Sequence, residues 1–154
     1  MASEWATCFL DTNILIYSKD PTNRQKQATA LHWMSRLAEH GALVISPQVL
    51  NELYNVAIQN RSPLNEEDAR RLVVTAGEWC SAQTSLATTI MAIGLRRRTS
   101  YQWFDCLLLA SALDAGCAFF VSEDMQHDHL IDGMRIINPF VTGPDLLQSS
   151  TRRA

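Results

Sequence analysis

Residues 6–17, ATCFLDTNILIY, decide how this chain is read, because an apolar run stops on an acid and an apolar segment resumes directly after it. Ala6 to Leu10 has the length and side chains of a buried strand, and Asn13 to Tyr17 can begin a short helix. Asp11 therefore closes a strand, at a position that normally avoids charge. A strand passing straight into a helix is also the opening of a βαβ arrangement.

The same alternation continues outward. Asp20-Pro21 breaks the chain, then Leu31, Met34, Leu37 and Ala38 recur at helical spacing up to His40-Gly41. Ala42 to Ile45 reads as a second strand, and Ser46-Pro47 supplies an N-cap and first-turn proline for a helix to about Gln59. Asn65 with Glu66, Glu67 and Asp68 starts another helix, whose apolar face is Ala69, Leu72, Val73, Ala76 and Trp79. Leu86, Ile90 and Ile93 suggest a helix over 85–98, and one more begins near Ser100 and runs through Asp105 to about Ala115. Ala118 to Val121 is a strand ending at Ser122-Glu123-Asp124, and Arg135 to Ile137 is the last, before Asn138-Pro139. Strands separated by helices predict an α/β fold with a mainly parallel sheet covered on both faces, whose ligands bind beyond the carboxyl ends of the strands. We expect one domain over 1–145 and a mobile tail over 146–154.

The chain has 154 residues, 47% hydrophobic and 19% charged, which suits a compact folded protein and excludes a disordered or low-complexity one. The first segment lacks the basic start of a cleaved leader, and no stretch approaches the roughly 18 apolar residues of a membrane span, so we expect a cytoplasmic protein with no membrane partner. Cys8, Cys80, Cys106 and Cys117 have no CxxC spacing and lie in apolar segments, as reduced core thiols do. A formal net charge of −3 excludes general coating of nucleic acid, although a focused contact remains open.

Four acids stand out. Asp11 and Asp124 close strands, Glu52 borders the stripe Val49, Leu53 and Val56, and Asp105 shares a helical face with Leu108, Leu109 and Ala112. Each has a structural explanation: a turn for Asp11, a snorkelling border residue for Glu52, a helix-start charge for Asp105 and a solvated loop acid for Asp124. Together they make most sense as ligands of a divalent cation, since carboxylates gathered among apolar neighbours repel one another unless neutralised. Glu123 and Asp128 are further acids near Asp124 with a supporting role open to them. His127 and His129 could join a transition-metal cluster, but no other His or Cys has zinc-site spacing, and an exposed polar loop is the better reading. Arg96-Arg97-Arg98 suits a helix C-terminus or a partner, and Trp103 is the tryptophan placed to meet a base.

Phe-Leu-Asp11-Thr12-Asn13, Glu52 in its apolar helix, Trp-Phe-Asp105 opening CLLLASAL, and Ser122-Glu123-Asp124-Met-Gln resemble, in order and spacing, the PIN-domain ribonucleases, especially VapC-type toxins of bacterial toxin–antitoxin pairs. The likeness runs from about Thr7 to Phe140. It implies a three-layer α/β/α sandwich, a Mg²⁺- or Mn²⁺-dependent endoribonuclease, a homodimer, an RNA substrate and a protein antitoxin. By that likeness Asp11, Glu52, Asp105 and Asp124 are both catalytic and metal-binding, with Asn13 a polar helper and Asp128 a possible one, in a loop lacking the glycine often found there. Two rivals differ in class. A phospho-acceptor domain would use Asp11 itself but would want a second acid two residues on or a lysine at a late strand end, and a non-catalytic module of the same fold would bind metal or partner without cutting.

Overall fold

In the computed structural model, which describes residues 5–151, the chain alternates as read, with the first three strands shorter than the sequence suggested. β1 (Cys8–Leu10) passes through Asp11 into α1 (Thr12–Tyr17) and then α2 (Arg24–Glu39). β2 (Leu43–Val44), α3 (Pro47–Ile58) and α4 (Glu66–Ala76) follow, the last continued by a short 3₁₀ turn over Gly77–Trp79. α5 (Leu86–Arg98) and α6 (Trp103–Asp114) form an adjacent packed pair before β3 (Phe119–Val121). β4 (Leu130–Ile131), β5 (Met134–Ile137) and α7 (Asp145–Thr151) complete the order.

The sheet runs β2-β1-β3-β5-β4, with β4 alone antiparallel. Phe9 sits between Val44 and Phe120, and Val121 between Leu10 and Ile137, so β1 and β3 are its central strands and end in register. Central parallel strands are covered on both faces, and every residue of β1 and β3 is buried. Phe9 and Phe120 stack across the strands at 5.2 Å. This is the expected α/β/α sandwich. Its register carries Asp11 and Ser122 out at the same edge, where the Asp11 N–H donates to the Val121 carbonyl and the Ser122 N–H to that of Ile137.

Two features are set by tertiary packing. α5 exists, but Leu86, Ile90 and Ile93 are its exposed side, and it buries Thr88, Ala92 and Leu95 instead. The segment beyond residue 145, read as a mobile tail, is helical as α7 to Thr151, because Leu147 is fully buried in the core; 152–154 lie outside the described residues. The β4–β5 hairpin was not foreseen. Asp132 and Gly133 turn it with φ of 48° and 88°, the left-handed geometry of a tight hairpin. Among the described residues no helix is long and apolar enough to cross a membrane, and the four cysteines are free.

Candidate active site

Asp11, Glu52, Asp105 and Asp124 line one cleft of about 620 Å³ at the carboxyl edge of β1 and β3. The fold thus brings together all four acids singled out in the sequence. Asp11 is the N-cap of α1, in extended conformation, and only 6% exposed. One of its oxygens accepts the Thr12 N–H at 2.7 Å and the other the Ser122 hydroxyl at 2.8 Å. Burial pushes its carboxyl up to about 7, with the charges of Asp105 and Asp124 adding to the rise and the bonds from Ser122 and Thr12 opposing it. The carboxyl of Asp105, in the first turn of α6, is also raised, first by burial and then by Asp124 and Glu52.

The other two acids are oriented by hydrogen bonds. Glu52, on α3, accepts the Thr12 hydroxyl at 2.7 Å on one oxygen and the Gln48 amide at 2.8 Å on the other. Asn13 donates from its side chain to Asp124 at 2.9 Å. The Asp124 N–H in turn donates to the Ser122 hydroxyl at 3.2 Å. Ser122 and Gln48 were not singled out beforehand. A buried serine between a strand and a site acid was the available signal for the first, and the i, i+4 spacing to Glu52 for the second.

Neighbouring acids go elsewhere. Glu123 turns away to accept from the Tyr17 hydroxyl and from Lys26 at 2.9 Å, while the Lys26 ammonium lies 4.7 Å from the Tyr17 ring centre and 5.1 Å from that of Phe140. Glu123→Gln should cost about 1 kcal/mol, more at low salt than at high, in urea unfolding. Equal stability at both salt concentrations would show that the ion pair does not brace the β3 loop. Asp128 does not line the cleft, contrary to the supporting role allowed it: it holds a left-handed φ of 65°, which aspartate tolerates, and its carboxylate faces His127 at 3.5 Å and Arg135 at 3.7 Å. His127 accepts the Asn138 N–H, and His129 pairs with the Tyr101 hydroxyl at 2.6 Å, so both imidazoles serve the loop. Trp103 packs against the core, whereas its neighbour Phe104 is 64% exposed and lines the cleft.

The donors facing the cleft from these acids are carboxylate oxygens, which suit a hard divalent cation, and the repulsion that raises Asp11 and Asp105 is what such an ion would relieve. Among the described residues, no three Asp, Glu, His or Cys groups already stand as a closed ligand cluster. The fit to a metal therefore rests on the chemistry of the donor set. Among the described residues no lysine lines the cleft, as a phospho-acceptor site would want.

Comparisons with known proteins follow the same line. The family model for the PIN domain matches residues 8–131. No curated protein matches by sequence. Among solved structures, a chain of VapBC2 from Rickettsia felis, crystallised bound to a DNA fragment from their promoter, superposes with a TM-score of 0.63. It is 17% identical, and the match covers 86% of this chain and 98% of that one, a likeness of fold. With four-fifths of its length matched by the family model and the acids gathered at the sheet edge, this chain belongs to the PIN-domain family.

Proposed function

We propose that this protein is a divalent-metal-dependent endoribonuclease, with Asp11, Glu52, Asp105 and Asp124 as its catalytic and metal-binding residues, and that it is the toxin of a toxin–antitoxin pair. PIN domains are generally nucleases and generally use divalent ions. The single observation that carries the reading is the convergence of four carboxylates from β1, α3, α6 and the β3 loop on one cleft, with their charges unrelieved. The resemblance in fold to a chain of VapBC2 supports the toxin reading and a protein antitoxin as partner; a homodimer and a cytoplasmic setting are further parts of the same proposal.

Asp11, Glu52, Asp105 and Asp124 would hold Mg²⁺ or Mn²⁺, which would supply charge stabilisation at the phosphate and acidify water. The chain's own groups prepare the site. Thr12 fixes Asp11 through its N–H and Glu52 through its hydroxyl, so one residue aligns acids from two elements. Ser122 does the same for Asp11 and the backbone of Asp124, and Asn13 holds the Asp124 side chain. Without a cation, burial favours the protonated form of Asp11, and releasing that proton readies it to ligate. Water is the nucleophile: among the described residues the one hydroxyl lining the cleft, on Thr12, is engaged with Glu52.

Hydrolysis by this route leaves a 3′-hydroxyl and a 5′-phosphate. With end-labelled RNA and Mg²⁺ or Mn²⁺, products should accept ligation through their 5′-phosphates, and chelator should stop their formation. Cyclic or 3′-phosphate ends, or cleavage unaffected by chelator, would contradict the mechanism. Metal-stabilised protein that cuts neither RNA nor DNA would instead identify a non-catalytic binding module.

A further inference from the structure

Phe104 has no structural reason to be aromatic. Its neighbours Trp103 and Leu107 pack against the core, while the Phe104 ring stays 64% exposed one residue before Asp105. Its backbone is held firmly, because the Gln48 amide that binds Glu52 also donates to the Phe104 carbonyl at 3.2 Å. The ring is thus an exposed apolar surface on a tethered turn at the rim of the carboxylate cleft.

On the same cleft, α3 presents Asn51 and Asn55, four residues apart and so on one face, both exposed. Among the described residues neither side-chain amide makes a hydrogen bond within the protein. Arg61 follows the left-handed Asn60, its N–H donating to the Val56 carbonyl at 2.9 Å, and it is the one cationic side chain among the described residues lining the cleft. It makes no ion pair among them. One flat aromatic face, two unspent amides and one unpaired guanidinium together match one base, its polar edge and a phosphate. A volume of about 620 Å³ lies within the range of clefts that hold small ligands.

Resting on the ribonuclease reading, we propose that Phe104, Asn51, Asn55 and Arg61 form a nucleotide subsite that takes one unpaired base of the RNA beside the scissile phosphate. Phe104 stacks on the base, the amides of Asn51 and Asn55 meet its edge, and Arg61 contacts a neighbouring phosphate. A duplex keeps its bases stacked on one another, so this subsite selects single-stranded segments, loops and ends.

The test has two arms. Phe104→Ala, Phe104→Trp and the unmodified chain are compared on a mixed pool of single-stranded and structured RNA with Mn²⁺, recording KM, kcat and the bases flanking each cut. Separately, an RNA carrying 2-aminopurine beside the mapped cut is titrated into Asp105→Asn, with and without Phe104→Ala. Phe104→Ala should raise KM roughly 5- to 100-fold with kcat nearly unchanged, Phe104→Trp should restore it, and fluorescence quenching should require the Phe104 ring. Cleavage with an unchanged KM, an unchanged flanking-base profile and quenching independent of Phe104 would overturn the subsite while leaving the nuclease intact. A Phe104→Ala effect confined to affinity for a protein partner would also overturn it, assigning the ring to that contact. An unmodified chain that neither cuts nor binds the pool would overturn both readings.

Discussion

Asp11→Asn should abolish RNA cleavage and, at pH 8 without metal, make the protein more stable. The carboxyl of Asp11 is buried and raised to about 7, against an ordinary value of 3.8. The folded state therefore retains a proton that the unfolded chain has already released between about pH 4 and 7. On this group's account, stability is fully present below pH 4, falls as pH rises to about 7, and stays low above it, a loss of roughly 4 kcal/mol at most. Asparagine keeps an acceptor for the Thr12 N–H and can donate to Ser122, yet it carries no charge to desolvate. The variant's melting temperature should exceed that of the unmodified chain at pH 8, with the gap closing towards pH 4. A variant less stable than the parent at pH 8 would show that the Asp11 charge is not strained in the fold. A site that sacrifices stability in this way is expected of functional residues.

The second large effect is the response to metal. If the strain on Asp11 and Asp105 exists to hold a cation, Mn²⁺ or Mg²⁺ should stabilise the folded chain by about 2.7 kcal/mol when the ion is at roughly 100 times its dissociation constant. The gain should be large at pH 8 and shrink towards pH 5, because protons compete for Asp11 below about 7. Asp105→Asn should remove most of it, since Asp105 repels Asp11 and is itself repelled by Asp124 and Glu52. Melting curves with metal or chelator measure this directly. A shift of equal size at both pH values, or one untouched by Asp105→Asn, would place the ion elsewhere.

The strand-end acids were legible because a parallel sheet exposes one edge, and a charge following Leu10 or Ser122-Glu123 has to emerge there. Asp105 was legible as a break in an otherwise apolar helical face. Local spacing could not choose between adjacent residues. Glu123 and Asp124 differ by one step of chain, yet the first meets Lys26 and Tyr17 and the second meets Asn13. Trp103 and Phe104 differ by about 100° around α6, which sends one ring towards the core and the other into the cleft.

Which face of α5 is buried was not legible for a related reason. Periodicity shows that Leu86, Ile90 and Ile93 share a side, but whether that side is covered depends on the partner helix. α5 packs on α6, and the side it buries is the small one, Thr88 and Ala92 together with Leu95. The Asp132-Gly133 turn carried an explicit hairpin signal, but the two-residue strand before it is too short to stand out. α7 depends on burial of Leu147, a contact between distant parts of the chain that no local pattern contains.

The central claim is that the gathered carboxylates cut RNA, and Asp105→Asn tests it most directly because Asp105 is half-exposed, faces the cleft and is not needed to pack the core. The unmodified chain and the variant, both checked for folding, are incubated with the same mixed RNA pool in Mg²⁺, Mn²⁺ or chelator. The account predicts metal-dependent cleavage by the unmodified chain and at least a 100-fold loss in the variant, as expected for a group acting on the reacting phosphate. Equal cleavage by both proteins would contradict it.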